Sequence, residues 1–128
     1  MDAAFEQAVT RGDVGAVREL LRRGADIDAR DRHGQTALMI AAHRGHPELV
    51  VLLIEQRAPL DVTAKYGLSA VMLAIVAGHE EIARRIARAG ADLSLRGTGA
   101  PGFAGRTARD LALARDMREL VAEWDAQR

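Results

Sequence analysis

A single spacing of 33 residues constrains this chain more than any other feature. Gly12-Asp13, Gly45-His46 and Gly78-His79 recur at that spacing, as do Gly34 and Gly67, and as do Ala25, Ala58 and Ala91. A fixed period of this size marks a supersecondary unit that has been copied and stacked, each copy burying its apolar face on the next. Laid out in register, the chain is one domain, 1–128, of four units at about 1–30, 31–63, 64–96 and 97–128. Stacked units present one long, shallow surface, so the expected work is gripping another macromolecule. The period does not say which one.

Within the second unit, Thr36 to Arg44 reads as a short helix carrying Leu38, Ala41 and Ala42 on one side. Gly45 then closes it in the left-handed conformation that glycine adopts without strain. Pro47 suits the first turn of a following helix, where its missing N–H costs nothing. Leu49, Val50, Leu52 and Leu53 give that helix its i, i+3, i+4 stripe. The pattern repeats position by position: Ala16, Leu49, Ile82 and Leu120 share one inward place, and Leu20, Leu53, Ile86 and Trp124 another. Small residues at Ala8, Ala41, Ala74 and Ala112 mark where two antiparallel helices must approach closely. Each helix pair is too short to be stable alone, so stacking has to supply the core. Glu80 with Arg84 and Glu81 with Arg85 form i, i+4 charge pairs expected on a solvated face.

Composition narrows the class further. Apolar residues make up 48% but aromatics only 3%, a core of Ala, Leu, Ile and Val that suits close-packed helices. Formal net charge is zero, 18 basic against 18 acidic residues, so no global field draws the protein onto nucleic acid or an anionic membrane. Cysteine is absent, which removes disulfides, thiolate metal sites and cysteine nucleophiles. Neither a secretory signal nor an apolar run long enough for a membrane span is visible, and a cytoplasmic location is expected. Arginine supplies 17 of the 18 basic residues, the composition of a GC-rich, bacterial coding sequence.

The strings Gly24-Ala25-Asp26-Ile27-Asp28-Ala29-Arg30, Asp31-Arg32-His33-Gly34-Gln35-Thr36-Ala37-Leu38-Met39-Ile40-Ala41-Ala42 and Gly45-His46-Pro47-Glu48-Leu49-Val50 resemble the ankyrin repeat. The resemblance covers essentially the whole chain, with two good internal repeats and two divergent ends. It implies an all-α solenoid of four helix–turn–helix layers joined by hairpin-like fingers and curved into a concave face. It also implies protein binding without catalysis. Departures from the family pattern are visible: Thr36-Ala37-Leu38-Met39 and Ser69-Ala70-Val71-Met72 stand where Thr-Pro-Leu-His is usual, and Ala64 stands where Asp31 does. Softer packing around the flexible methionines is expected. The first unit starts directly in a helix, as an N-terminal cap would, and Thr107-Ala108-Arg109-Asp110-Leu111-Ala112 opens a C-terminal cap whose Arg118, Glu119 and Glu123 are expected to face outward.

The period breaks once. The glycine matching Gly67 is Gly105, five residues late, so a Gly-rich finger at 97–105 has been enlarged and is expected to be mobile. A tolerated insertion before a capping unit explains it; the sharper alternative is that Phe103, a lone aromatic there, contacts the partner. Gly97-Thr98-Gly99-Ala100-Pro101-Gly102 spells a dinucleotide-type G-x-G-x-x-G, but its flanks belong to a helical repeat and lack the strand that motif needs. His46 and His79 recur in the period and read as structural parts of the turn. His33 and His43 do not recur, and are surface groups open to a partner. Asp26 and Asp28 belong to the same loop chemistry as Asp61, Asp92 and Ser94. Arg11-Gly12-Asp13 is a helix–helix turn. No metal, cofactor or catalytic combination stands outside the repeat pattern, and no enzyme is expected.

The resemblance places the variable, partner-binding positions on finger tips and the exposed side of the inner helices: Arg32, His33, Gln35, His43 and Arg44 in the second unit, Lys65, Tyr66, Leu68, Val76 and Ala77 in the third, and Phe103, Arg106 and Arg115 in the fourth. Tyr66, Leu68 and Val76 rimmed by Arg and Lys have the composition of a small interaction hot spot. The face is expected to be locally positive and to suit an acidic or mixed patch on a partner protein. The expected molecule is a monomeric adaptor or inhibitor, with a self-associating scaffold as the alternative. Nucleic-acid binding through the arginines is a third possibility that the lack of a polybasic run and of stacking aromatics disfavours.

Overall fold

The computed structural model describes residues 1–127; Arg128, the end of the expected fourth unit, lies outside them. Its eight α-helices form four antiparallel pairs: α1 (Ala3–Arg11) with α2 (Val14–Arg22), α3 (Ala37–Arg44) with α4 (Pro47–Glu55), α5 (Ala70–Val76) with α6 (Glu80–Arg88), and α7 (Ala108–Ala114) with α8 (Arg118–Ala126). The odd-numbered helices make one layer and the even-numbered ones another, with α3 between α1 and α5, and α5 between α3 and α7. Ala37–Ala42 and Ala70–Ile75 are buried from end to end because those inner helices are covered on both sides.

Each pair turns in the same way. The amides of Asp13, His46, His79 and Met117 donate to the carbonyls of Ala8, Ala41, Ala74 and Ala112, five residues back, at 2.8–3.0 Å. That bond closes a helix only if the intervening residue is left-handed. Gly12, Gly45 and Gly78 supply it at φ 71, 77 and 87°, and Asp116 takes the place in the last pair at φ 60°. At the outer-helix ends, Ala25, Ala58 and Ala91 donate to Leu20, Leu53 and Ile86, which explains their recurrence.

Helix starts follow the sequence with one exception. The Thr36 and Thr107 hydroxyls accept from the Met39 and Asp110 amides, and Met39 Sδ reaches back to the Thr36 amide as an acid would in the usual box. Ser69 holds the same place in α5, but its buried hydroxyl finds no partner among the described residues.

Neighbouring pairs are joined by side chains laid on the turn glycines. The His46 ring lies against Gly12, where a Cβ would come within 2.6 Å, and its Nε2 is 2.9 Å from the Thr10 carbonyl. The His79 ring covers Gly45 at the same 2.6 Å. At the last junction the Arg115 guanidinium covers Gly78 instead.

Two expectations about charge are corrected at that junction. Glu123 does not face outward: its carboxylate accepts from Arg84 Nε at 2.7 Å and from Arg88 Nε at 2.6 Å, joining α8 to α6. Arg84 is accordingly not on a solvated face; its side chain is only 15% exposed and also holds Glu80 and Glu81. These contacts pull Glu123 below the usual carboxylate range, Arg88 first and Arg84 second, and raise Arg84. Leu113 occupies the place of Ile75, which the next pair buries, and is 48% exposed. No helix among the described residues is long and apolar enough to cross a membrane.

Candidate protein-binding face

Three loops project from the layer of inner helices. The first is closed by a carboxylate: Asp31 Oδ1 accepts from the amides of His33 at 2.8 Å and Gln35 at 2.9 Å, while the Asp31 amide donates to the Gln35 carbonyl. The second has Ala64 in that place and keeps only the backbone bonds, Ala64 to Leu68 and Gly67 to Ala64. Without the carboxylate its tip tightens into a single turn at Lys65–Gly67, with Tyr66 left-handed at φ 62°. A non-glycine residue there stores about 1–2 kcal/mol.

The third loop is the enlarged one, and backbone bonds hold it along its length. Across its base the Gly97 amide donates to the Arg106 carbonyl and the Gly105 amide to the Gly97 carbonyl, Ala104 donates to Ala100 in the tip, and Arg96 reaches the Gly105 carbonyl at 2.7 Å. It is tied to its neighbour as well, the Thr98 amide donating to the Tyr66 carbonyl at 2.7 Å. Phe103 is half-buried against the core, and its ring centroid lies 5.5 Å from that of Tyr66. Phe103 is therefore not a lone aromatic on a free loop but half of an aromatic pair. Lys65 Nζ sits 4.9 Å from the Tyr66 ring, and Gly99 leaves room beside it. The loops lie side by side: a Cβ added at Gly34 would reach Ala64 of the second loop, and one at Gly67 would crowd Thr98 of the third.

Below the loops, the loop-side register positions of the inner helices grade in character, from Ile40, Leu73 and Leu111, which are nearly buried, to more open residues at the helix ends. One register position carries Gln7, Ile40, Leu73 and Leu111, the next Thr10, His43, Val76 and Ala114, and the third Arg11, Arg44, Ala77 and Arg115. The α1 and α3 end is polar and cationic; the α5 and α7 end is mainly apolar, with Arg115 as its one cation, turned onto Gly78. At the cationic end a groove of about 1020 Å³ opens between α1, the first loop and α3. Glu6, Gln7, Thr10 and Arg11 line one wall, Arg30 to His33 and Gln35 another, and Ile40, His43 and Arg44 the floor, with the Met1 amino group at the rim donating to the Arg30 carbonyl.

The structure thus gathers Arg32, His33, Gln35, His43 and Arg44 into one groove and Lys65, Tyr66 and Phe103 into a separate cluster on the second and third loops, with Val76 at the end of α5. Leu68 does not belong to this surface: it is 5% exposed, because the residue leaving the tight turn points into the core beneath the loop. Arg115 spends its guanidinium on Gly78, and Arg106 lies at the base of the third loop near Asp110. Glu6 and Asp31 add two carboxylates that the expected all-positive face lacked. Gln7, Thr10, Arg11, Arg30 and Ile40 went unforeseen, although subtracting one period from Ile40, His43 and Arg44 names three of them.

Arginines of the outer layer and the last pair are internally compensated: Arg22, Arg23, Arg84, Arg85, Arg88, Arg109 and Arg118 each lie within ion-pair distance of a carboxylate. Arg30, Arg32 and Arg44 are not so paired among the described residues, and they converge on the groove; Arg18, Arg57, Arg96, Arg106 and Arg115 are likewise in no ion pair there but do not line it. No group of three His, Asp or Glu side chains among the described residues could hold a metal ion.

Residues 5–96 match the family model for ankyrin repeats, in three copies. The chain belongs to the ankyrin-repeat family. It is similar to a putative ankyrin repeat protein of Rickettsia felis, 46% identical over 44 residues that make up 34% of this chain and 70% of that one. It is equally similar, 46% over 46 residues, to the mouse "Ankyrin repeat, SAM and basic leucine zipper domain-containing protein 1", and 46% over 50 residues to the human "Ankyrin repeat domain-containing protein 29". Those segments are 36% and 38% of this chain, and they span only 10% and 16% of the mouse and human proteins. Ankyrin repeats are generally protein–protein interaction modules and typically non-catalytic.

Proposed function

We propose that this ankyrin-repeat chain is a non-catalytic adaptor or inhibitor that engages one partner protein through its concave face of loop tips and inner helices. The observation that carries the reading is the convergence of Arg30, Arg32 and Arg44, in no ion pair among the described residues, on a groove at one end of the stack whose later loops carry the Tyr66–Phe103 pair. Uncompensated charge focused in a concavity steers an oppositely charged partner, and an aromatic 37% exposed on a strained turn is a suitable anchor. The partner patch is acidic or mixed, the free protein is monomeric and cytoplasmic, and the outermost helix pairs act as caps.

Crosslinked capture from lysate, with wild type beside a Tyr66→Ala/Arg44→Ala variant of unchanged helicity and melting, tests this. A protein held by wild type and lost with the variant supports the concave face; one held equally by both moves the interface elsewhere. Leu113 favours a second reading, end-to-end self-association, because its counterpart Ile75 is covered by a neighbouring pair. A concentration-dependent sedimentation coefficient abolished by Leu113→Glu supports that scaffold instead.

A further inference from the structure

The grading of the inner helices narrows the chemistry of the occupant, on the reading that the concave face is the binding surface. Across the α1 and α3 end a bound segment meets Arg32, His43 and Arg44; across the α5 and α7 end it meets Val76, Ala77 and Ala114, with Tyr66 and Phe103 overhead. Carboxylates over Val76, Ala77 and Ala114 would lose water against apolar side chains, with cations only at the margin, Lys65 at the tip and Arg115 on Gly78. Apolar side chains on the cationic half would desolvate guanidinium groups. The packing of α3 on α5 fixes the two halves in one order, and the Thr98-to-Tyr66 bond holds the second and third loops together over the second half.

We propose that the concave face takes a single peptide segment of the partner whose acidic residues seat in the groove of α1 and α3 and whose apolar residues lie across α5 and α7. Binding is an acidic block followed by an apolar block, read along the stack, and not a diffuse attraction for anions. The carboxylates meet guanidinium groups in a concavity, where such contacts are stronger and more geometrically selective than on an open surface.

The test uses the full chain and fluorescein-labelled peptides: a glutamate block joined to a leucine block, an all-glutamate peptide of the same length, and the block peptide with glutamine for glutamate. The block peptide binds tightest and the glutamine version weaker by about tenfold or more. Arg44→Glu weakens the block and all-glutamate peptides alike by about tenfold. Val76→Glu weakens the block peptide and leaves the all-glutamate one unchanged. Arg44 is exposed, whereas Val76 is half-buried against the core, so the Val76 variant is compared only at unchanged melting, and Ala114→Glu, at an exposed site of the same half, repeats the test. Equal binding of the glutamine peptide, no effect of Arg44→Glu, or equal loss of both peptides with Val76→Glu overturns the proposal. So does tighter binding of a single-stranded oligonucleotide with the same dependence on Arg44. If the peptides fail while Tyr66→Ala/Arg44→Ala still loses a captured partner, the concave-face reading stands and the acidic–apolar order falls.

Discussion

At the first two junctions between helix pairs an imidazole lies on a glycine; at the third a guanidinium does, with a second set of charges behind it. His46 on Gly12 and His79 on Gly45 bring flat rings to within van der Waals contact of a turn, so the interior of the array is held by shape. Arg115 on Gly78, together with Arg84 and Arg88 on Glu123, closes the last junction by charge. Stability in a stacked array is a sum over such nearest-neighbour contacts, so the two kinds of junction should respond differently to substitution, salt and pH.

Gly45→Ala should be the most damaging change, because it adds left-handed strain and a Cβ at 2.6 Å from the His79 ring. A loss of about 2–4 kcal/mol in denaturant melts is expected. Gly105→Ala, at φ 73° with nothing nearby, should lose only the left-handed strain, about 1–2 kcal/mol, and the difference isolates the ring contact. At the charged end, Gly97→Ala drives a Cβ into the Phe103 carbonyl and should cost about 1–3 kcal/mol, with a change in Tyr66 fluorescence as the loop leaves its ring.

Thr36→Ala removes the cap on the Met39 amide and should lose about 1 kcal/mol. Glu123→Gln should lower the melting temperature modestly, and less so in high salt, as the Arg84 and Arg88 contacts weaken. Because the folded protein holds this carboxylate below its usual range, its contribution is full above the unfolded value of about 4.3 and disappears as pH falls through the lower folded value. Melting of wild type should therefore fall more steeply than that of the variant on acidification from about pH 5 to pH 3. Ser69→Ala, at the place equivalent to Thr36, should change stability by less than about 0.5 kcal/mol, since its hydroxyl makes no bond to lose.

The fold was legible wherever one residue type answers one local need. Gly45 had to be left-handed, Pro47 had to open α4, and the alanines at 8, 41, 74 and 112 had to lie where helices meet; the structure has each so. Positions whose role depends on a neighbouring pair were not legible. Glu123 looks like any polar residue on a terminal helix until α6 brings Arg84 and Arg88 to it. Leu68 and Tyr66 are two residues apart in a loop, and nothing local says which is the plug and which the exposed ring. The turn without Asp31's carboxylate decides that, and the insert places Phe103 beside the result. Asp116 and Arg57 in left-handed turns were hidden because the signal sought there was glycine.

The junctions also make the interior units interchangeable parts with a direction. Units 31–63 and 64–96 each bring a histidine that fits the preceding turn and a glycine that receives whatever follows. The first pair offers the socket, Gly12, but carries Asp13 where a histidine would plug; the last plugs with Arg115 and offers Asp116 in place of a socket. An additional copy of 31–63 spliced after residue 63 would meet matching connectors on both sides, and the same copy inserted backwards, or placed beyond α8, would meet none.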